Sequence, residues 1–165
     1  MQRLILLRHG KAEAESESGA DIDRRLAPQG EAEVAAMAAR LAARGAVPDL
    51  ALVSSAARTR DTWVAAEPAF PGTQVVFDAD LYNAESKFIR RLADLAGVTA
   101  NTVMVVGHNP GIHELAVRLM QEGSAAAGDI DKARRQFPPG AAAVFLIDAN
   151  DRPVFDGLYL PERGA

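Results

Sequence analysis

Short apolar runs alternate with amphipathic stretches along the chain. The apolar runs are "LILL" at 4–7, "LALV" at 50–53, "VVF" at 75–77, "TVMVV" at 102–106 and "AAVFLI" at 142–147. A weaker run, "FDGLYL", lies near the end. Continuous apolar runs of this length are typical of strands buried on both faces, so they predict a largely parallel sheet.

The segments between these runs have helical periodicity. "EAEVAAMAARLAARG" places Val34, Met37 and Leu41 on one face and ends at Gly45, a residue that commonly terminates helices. Further helices are indicated by "ARTRDTWVAAE", "ESKFIRRLADLAG" and "GIHELAVRLMQEG". The alternation predicts an α/β fold, with residues 1–165 forming a single three-layer α/β/α domain around a mostly parallel central sheet.

Two polar stretches interrupt the alternation, and both are expected to be long loops. They are "SESGADIDRR" and "QEGSAAAGDIDKARRQFPPG". Long loops in a small domain are frequently functional. The first of them follows the first predicted strand, where a binding site is expected in an α/β fold.

Composition narrows the classes of function. The chain contains no cysteine, which excludes disulfides, thiolate metal sites and cysteine nucleophiles. A net charge of -4 argues against nucleic acid as a partner. The run "LILL" is too short for a signal peptide or a membrane span, so we expect a cytoplasmic protein without a membrane partner.

Three polar clusters follow three of the predicted strands. "RHG" follows "LILL", "SSAARTR" follows "LALV", and "GHNPG" follows "TVMVV". Because ligands of open α/β sheets bind at the carboxyl ends of the strands, we expect Arg8, His9, Arg58 and His108 to face one crevice.

The side chains in these clusters suit a phosphoryl group. Arginine forks match phosphate or carboxylate oxygens, and a neutral imidazole is a competent nucleophile. Helix N-termini would add backbone donors for an anion. We predict that Ser54 or Ser55 caps the helix that carries Arg58, and that Asn109 caps the next one with Pro110 at its first position.

Metal, nucleotide and serine-hydrolase chemistry find no support in the sequence. His108 and His113 are five residues apart, which separates them by about 140° on a helix and does not form a zinc-binding pair. Neither a P-loop nor a G-x-S-x-G motif occurs. We therefore expect no cofactor and no metal.

The combined motifs resemble the histidine phosphatase superfamily, with its phosphoglycerate-mutase-like fold. Within it the chain is similar to the small bacterial SixA-type phosphohistidine phosphatases. The similarity extends in order from the first residues to about Leu160. The motifs that carry it are "LILLRHGKAE", "DRRLAPQG", "DLALVSSAARTRDT", "LYNAE", "VMVVGHNPGIHELA" and "FPPGAAAVFLID".

The resemblance implies a role for each matching residue. His9 would be the nucleophile that is transiently phosphorylated. One nitrogen of its ring is expected to donate to a backbone carbonyl, and nearby arginines are expected to lower its pKa. The residues expected to bind the substrate or stabilise its charge are Arg8, Arg58, His108, Gly10 and Asn109.

The general acid and the substrate are the less determined parts of this interpretation. Larger relatives carry a glutamate general acid near the position of "LYNAE", and Glu85 is the nearest candidate. Without an assigned general acid, cleavage of a P–N bond is favoured over cleavage of an ester, because imidazole is a better leaving group than an alkoxide. We therefore expect a phosphohistidine-containing protein, such as a phosphotransfer protein, as the partner.

Two alternatives remain open from the sequence. The first alternative is a phosphomonoesterase that acts on a small phosphate ester, and the second is a non-catalytic phosphate-binding module. Retention of His9 together with Arg8, Arg58 and His108 argues against the module, because a pure binder does not need the nucleophile. We expect a monomer.

Overall fold

The structure is a computed structural model that describes residues 1–163. Within these residues the chain forms six strands and five α-helices. The strands are β1 (Arg3–Arg8), β2 (Leu50–Ser54), β3 (Gln74–Asp78), β4 (Thr102–Gly107), β5 (Ala142–Ile147) and β6 (Pro153–Tyr159). The α-helices are α1 (Pro28–Ala43), α2 (Ala57–Ala66), α3 (Ser86–Ala96), α4 (Gly111–Glu122) and α5 (Ala127–Arg135). Short 3-10 helices span Asp21–Asp23, Glu67–Ala69 and Ala79–Leu81.

The strands form one sheet in the order β3-β2-β4-β1-β5-β6. The pairs β2–β3, β2–β4 and β1–β4 are parallel, whereas β5 pairs antiparallel with both β1 and β6. The predicted α/β class with a mostly parallel sheet is therefore confirmed. The predicted strand near the end is also confirmed, as β6.

The pleat of the central strands divides their side chains between two cores. Leu4 and Leu6 of β1 point into one core, whereas Ile5 and Leu7 point into the other. The first core is covered by α3, α4 and α5, and the second by α1 and α2. This two-sided burial explains why the strands are continuous apolar runs without alternation.

One helix begins without a side-chain cap, and another lies where a loop was expected. Helix α1 begins at Pro28, with Ala27 at the N-cap and no side-chain cap, because alanine has no oxygen to offer. Helix α5 lies in the stretch that we predicted to be a loop, so that prediction is wrong. Its Ala133 is fully buried in the first core, and nine residues are too few to show a clear period.

The carboxyl ends of β1, β2 and β4 lie side by side at one edge of the sheet. This edge carries the three polar clusters. Among residues 1–163, no helix has the length and apolar character needed to cross a membrane.

Candidate active site

His9 and His108 are neighbours because their strands are neighbours. Arg8 at the end of β1 pairs with Gly107 at the end of β4, so the next residue of each strand is a histidine. The His9 backbone N–H donates to the Gly107 carbonyl at 3.1 Å. The two imidazole rings lie 5.3 Å apart between centroids, tilted by 54°.

The His9 ring is held by its own chain. Its Nδ1 lies 2.7 Å from the carbonyl oxygen of Gly10, which can only accept, so Nδ1 is the donor. The neutral ring therefore carries its lone pair on Nε2. Burial lowers the His9 pKa to about 4, helped by the positive charges of Arg8, Arg58 and Arg24. His9 is thus neutral around pH 7.

Gly10 fits this position because the chain passes close to α1. A Cβ atom at Gly10 would lie 2.7 Å from Val34 Cγ2 and 3.0 Å from the Gly30 carbonyl oxygen. The Gly10 N–H donates to Thr62 Oγ1 at 3.0 Å, and the Thr62 hydroxyl donates to the Arg58 carbonyl at 2.7 Å. The Gly10 carbonyl thus orients the His9 ring, and the Gly10 N–H is linked through Thr62 to the backbone of Arg58.

Arg8 and Asn109 share one backbone acceptor. Arg8 Nη1 donates to the Phe137 carbonyl at 3.0 Å, and Asn109 Nδ2 donates to the same oxygen at 3.1 Å. Arg8 Nε and Asn109 Oδ1 are buried and have no hydrogen-bond partner within residues 1–163. Burial and the charge of Arg58 lower the pKa of Arg8.

The predicted capping role of Asn109 is wrong. Helix α4 begins at Gly111, Pro110 occupies the cap position, and no side chain caps the helix. The Asn109 amide is used instead on the loop carbonyl of Phe137, which lies just before β5. Asn109 therefore joins two loops at the end of the sheet.

His108 is bound to the end of β2. Its Nε2 lies 2.8 Å from Ser54 Oγ, and its Nδ1 is buried without a partner in the described chain. Burial lowers the His108 pKa to about 3, together with the proximity of His9 and Arg58. The prediction that Ser54 or Ser55 caps α2 is wrong, because the cap position is Ala56 and no side chain caps it.

Arg58 lies in the first turn of α2, and its side chain is 8% exposed. Its two terminal nitrogens contact Asp21: Nη1 donates to the backbone carbonyl at 2.9 Å and Nη2 to the carboxylate at 3.1 Å. The guanidinium carbon lies 5.8 Å from the centroid of the Tyr82 ring. Arg58 therefore connects the strand ends to the segment after β1.

Asp21, Arg24 and Tyr82 were missed by the sequence reasoning. The Tyr82 hydroxyl donates to the Asp21 carboxylate, and Arg24 Nη1 lies 3.0 Å from its other oxygen. The Tyr82 ring packs edge-on against His108 at 5.5 Å. The polar stretch "SESGADIDRR" signalled a functional loop, but nothing in it singled out Asp21.

The Asp21 carboxylate is ionised in this arrangement. Hydrogen bonds from Tyr82 and Arg24, with the charge of Arg58, hold the Asp21 pKa well below its usual range. The same contact with Asp21 raises the Tyr82 pKa. Asp21 is therefore an acceptor and cannot donate a proton near neutral pH.

Glu85 and His113 stand apart from these contacts. Glu85 is exposed at the start of α3, and its carboxylate makes no hydrogen bond or ion pair with the rest of residues 1–163. His113 Nε2 lies 2.6 Å from the Ala133 carbonyl, and its ring stacks on Phe137 at 5.6 Å. His113 packs α4 against α5.

The arrangement can bind and position a phosphoryl group. It combines the cations Arg8 and Arg58 with two neutral imidazoles, one of which has a free lone pair. Within the described part of the chain, no three His, Cys, Asp or Glu side chains are grouped closely enough to hold a metal ion.

Comparison with known proteins gives a family match. The profile of the histidine phosphatase superfamily (branch 1) matches residues 4–87. An uncharacterized chloroplastic protein of Arabidopsis thaliana is 33% identical over 128 residues, which are 72% of this chain and 59% of that protein. The match thus spans less than two thirds of that relative's length.

Two solved structures are similar over nearly the whole chain. A protein of Agrobacterium tumefaciens, provisionally assigned as the phosphohistidine phosphatase SixA, is 32% identical with a TM-score of 0.84, covering 97% of this chain and 98% of that one. A protein of Nakamurella multipartitia with the same provisional assignment is 28% identical with a TM-score of 0.81, covering 97% and 96%.

Proposed function

The chain belongs to the histidine phosphatase superfamily, in its SixA-type branch, and on this premise we propose that it hydrolyses phosphohistidine on a protein substrate through a phosphorylated His9. The observation that carries the proposal is the tautomer of His9. With Nδ1 donating to the Gly10 carbonyl, Nε2 has a free lone pair, and the charges of Arg8 and Arg58 act on the same ring. A buried, neutral imidazole beside two guanidinium groups is a suitable nucleophile for a phosphoryl group.

In the first step the Nε2 lone pair forms a bond to phosphorus. The P–N bond of the substrate breaks, and its electron pair returns to the substrate imidazole. If the other nitrogen of that ring is protonated, it leaves as neutral imidazole and requires no further acid. Arg8 and Arg58 neutralise the phosphoryl oxygens, which is the main form of catalysis in phosphoryl transfer.

In the second step water attacks the phosphorus on His9. The bond to Nε2 breaks, its electron pair returns to the ring, and the two protons of water leave with phosphate as dihydrogen phosphate. His9 is then neutral again. His108 contributes as a neutral hydrogen-bonding group, because burial and neighbouring charge keep it unprotonated.

Asn109 and Gly10 have indirect parts in this proposal. Asn109 holds the Phe137 carbonyl that also accepts from Arg8, and Gly10 fixes the His9 ring. Glu85 has no assigned step, since its carboxylate is exposed and makes no hydrogen bond or ion pair within the described part of the chain. We propose that residues 1–165 form one histidine phosphatase domain.

The decisive experiment traps the intermediate. The protein is mixed with a ³²P-phosphohistidine protein and quenched in alkali within milliseconds. We expect label on His9 that is stable in alkali and lost in acid. His113→Gln is the matched control, because His113 is a packing residue and this variant should keep the label.

Two results would refute the mechanism. One is wild-type turnover of every phosphodonor by His9→Ala. The other is label on a residue other than His9. The substrate class is tested separately, by comparing kcat/KM for phosphohistidine protein with a panel of small phosphate esters. A clear preference for esters would favour the phosphomonoesterase.

A further inference from the structure

Asp21 is an acidic residue whose side chain contacts Arg24, Arg58 and Tyr82. Its carboxylate receives Arg58 Nη2 at 3.1 Å, Arg24 Nη1 at 3.0 Å and the Tyr82 hydroxyl. Its backbone carbonyl separately receives Arg58 Nη1 at 2.9 Å. The backbone contact would remain if the charge of the side chain were removed.

Exposure places Asp21 at the mouth of the site. His9 is 8% exposed, and the side chain of Arg58 is also 8% exposed, whereas the side chain of Asp21 is 50% exposed. In an in-line displacement the leaving group departs opposite the nucleophile. With His9 at the bottom, the leaving group departs toward the mouth, where Asp21 lies.

The charges at the mouth explain what a carboxylate does there. Arg8, Arg58 and Arg24 all act on the His9 ring, so three positive charges converge on the site. Arg8 and Arg58 suffice to match a dianionic phosphoryl group. Arg24 would add a further positive charge at the mouth, and Asp21, which is ion-paired with both Arg24 and Arg58, offsets it.

We propose that Asp21 determines specificity by confining the positive charge to the phosphoryl pocket, so that the enzyme discriminates against phosphate compounds whose leaving group carries a second anion. This inference rests on the proposed function and concerns the same site. Leaving groups that are neutral or positively charged, such as a protonated histidine ring, are accepted. An ester with a carboxylate or a second phosphate on its leaving group is disfavoured.

The role is electrostatic and involves no proton transfer from Asp21. Its contacts with Tyr82, Arg24 and Arg58 keep the Asp21 pKa low, so the carboxylate remains charged at working pH. Because it is half exposed, its effect on a second charge is partly screened by water and salt. A moderate discrimination is therefore expected.

The test compares two aryl phosphates, one with a para-carboxylate and one with a para-trimethylammonium group. Their kcat/KM ratio is measured for the wild type, Asp21→Asn and Asp23→Asn. Asp23 is the matched control, since it lies in the same 3-10 helix and its carboxylate accepts from Ser18 instead. Asp21→Asn keeps the size of the side chain and the backbone contact to Arg58.

We expect Asp21→Asn to shift the ratio toward the carboxylate ester by roughly threefold to tenfold, as one partly screened charge would produce. Asp23→Asn should shift it less than about twofold. An equal loss for both esters would overturn the proposal, because Asp21 would then only orient Arg58. An unchanged ratio, or a shift in the opposite direction, would also overturn it.

A binding measurement separates this inference from the proposed function. The Kd of each ester is measured by calorimetry for His9→Ala and for His9→Ala combined with Asp21→Asn. The same shift in the Kd ratio supports the inference even if phosphohistidine protein is not a substrate. Failure of either ester to bind, or equal Kd ratios in the two proteins, contradicts it.

Discussion

The site has a floor and a rim, and they are built in different ways. The floor consists of Arg8, His9 and His108, which lie at the ends of β1 and β4 and are buried or half-buried. The rim consists of Asp21, Arg24 and Tyr82, which lie in or next to 3-10 helices. Sheet register positions the floor, whereas side-chain hydrogen bonds position the rim.

This difference separates two requirements of an enzyme. Groups that act on the phosphoryl group must be held closely in place, and neighbouring paired strands provide that. Groups that select the rest of the substrate are on segments that change with little cost to the core. We therefore propose that the floor carries out the chemistry and the rim selects the substrate, and four predictions test this division.

The largest expected effect is the difference between a floor arginine and a rim arginine. Arg8→Ala should lower kcat/KM by about 10²–10³-fold, because a half-buried donor to the proposed transition-state charge is lost. Arg24→Ala should lower it by less than about fivefold, since its ion pair is partly exposed. Comparable losses in steady-state kinetics of the two variants would erase the distinction between floor and rim.

The second effect concerns stability and pH. The pKa values of His9 and His108 are lowered to about 4 and about 3 in the folded protein. The unfolded chain therefore takes up protons first as the pH falls below about 6.5, and the free energy of unfolding decreases. As the pH falls from about 7 to about 5, each of the two histidines should lower the free energy of unfolding by about 2 kcal/mol.

Urea unfolding in phosphate-free buffer measures this cost, and His108→Gln is the informative variant. It should lose part of the pH dependence that the wild type shows. Rim carboxylates do not interfere, because the lowered pKa of Asp21 acts only at more acidic pH. A wild type of constant stability over this interval would show that the floor histidines are not held neutral.

The third effect tests how the floor is supported. Thr62→Val leaves the buried Gly10 N–H without its acceptor and should lower the free energy of unfolding by about 1–3 kcal/mol. Thr73→Val is the control, because the Thr73 hydroxyl donates to the Pro48 carbonyl in a half-buried hydrogen bond at the opposite end of β2 from the site. Chemical denaturation should give a smaller loss for Thr73→Val, and equal losses would mean that the Thr62 contact has no special weight.

The smallest effect is expected for the rim tyrosine. Tyr82→Phe removes the hydroxyl that donates to Asp21 but keeps the ring against His108. We expect kcat/KM to change by less than about fivefold, the value of one partly exposed hydrogen bond. A loss of hundredfold or more in the kinetic assay would place Tyr82 among the catalytic groups.

The floor was predictable from the sequence, and the rim was not. An apolar run that ends in a polar cluster locates a strand end, and this signal identified Arg8, His9 and His108 without any knowledge of pairing. Asp21 lies 37 residues from Arg58 and 61 from Tyr82 along the chain. No local pattern contains those separations, so only the folded chain reveals the contact.

The predictions of the helix caps failed for a related reason. Asparagine is a typical N-cap residue, but the Asn109 amide donates to the Phe137 carbonyl, which lies 28 residues away. Ser54 was a candidate cap of α2, but its hydroxyl lies beside His108. In both cases a tertiary contact competes with the local one, and propensity cannot weigh the two.

The strand order also governs when the site can exist during synthesis. His9 leaves the ribosome well before β4 and β5, the strands with which β1 pairs, because β4 lies about a hundred residues later in the chain and β5 lies later still. Contacts so distant in sequence form late in folding. While β4 and β5 are still being synthesised, a nascent chain therefore carries the proposed nucleophile without the neighbours that position it, and a product truncated before β4 would lack His108 altogether.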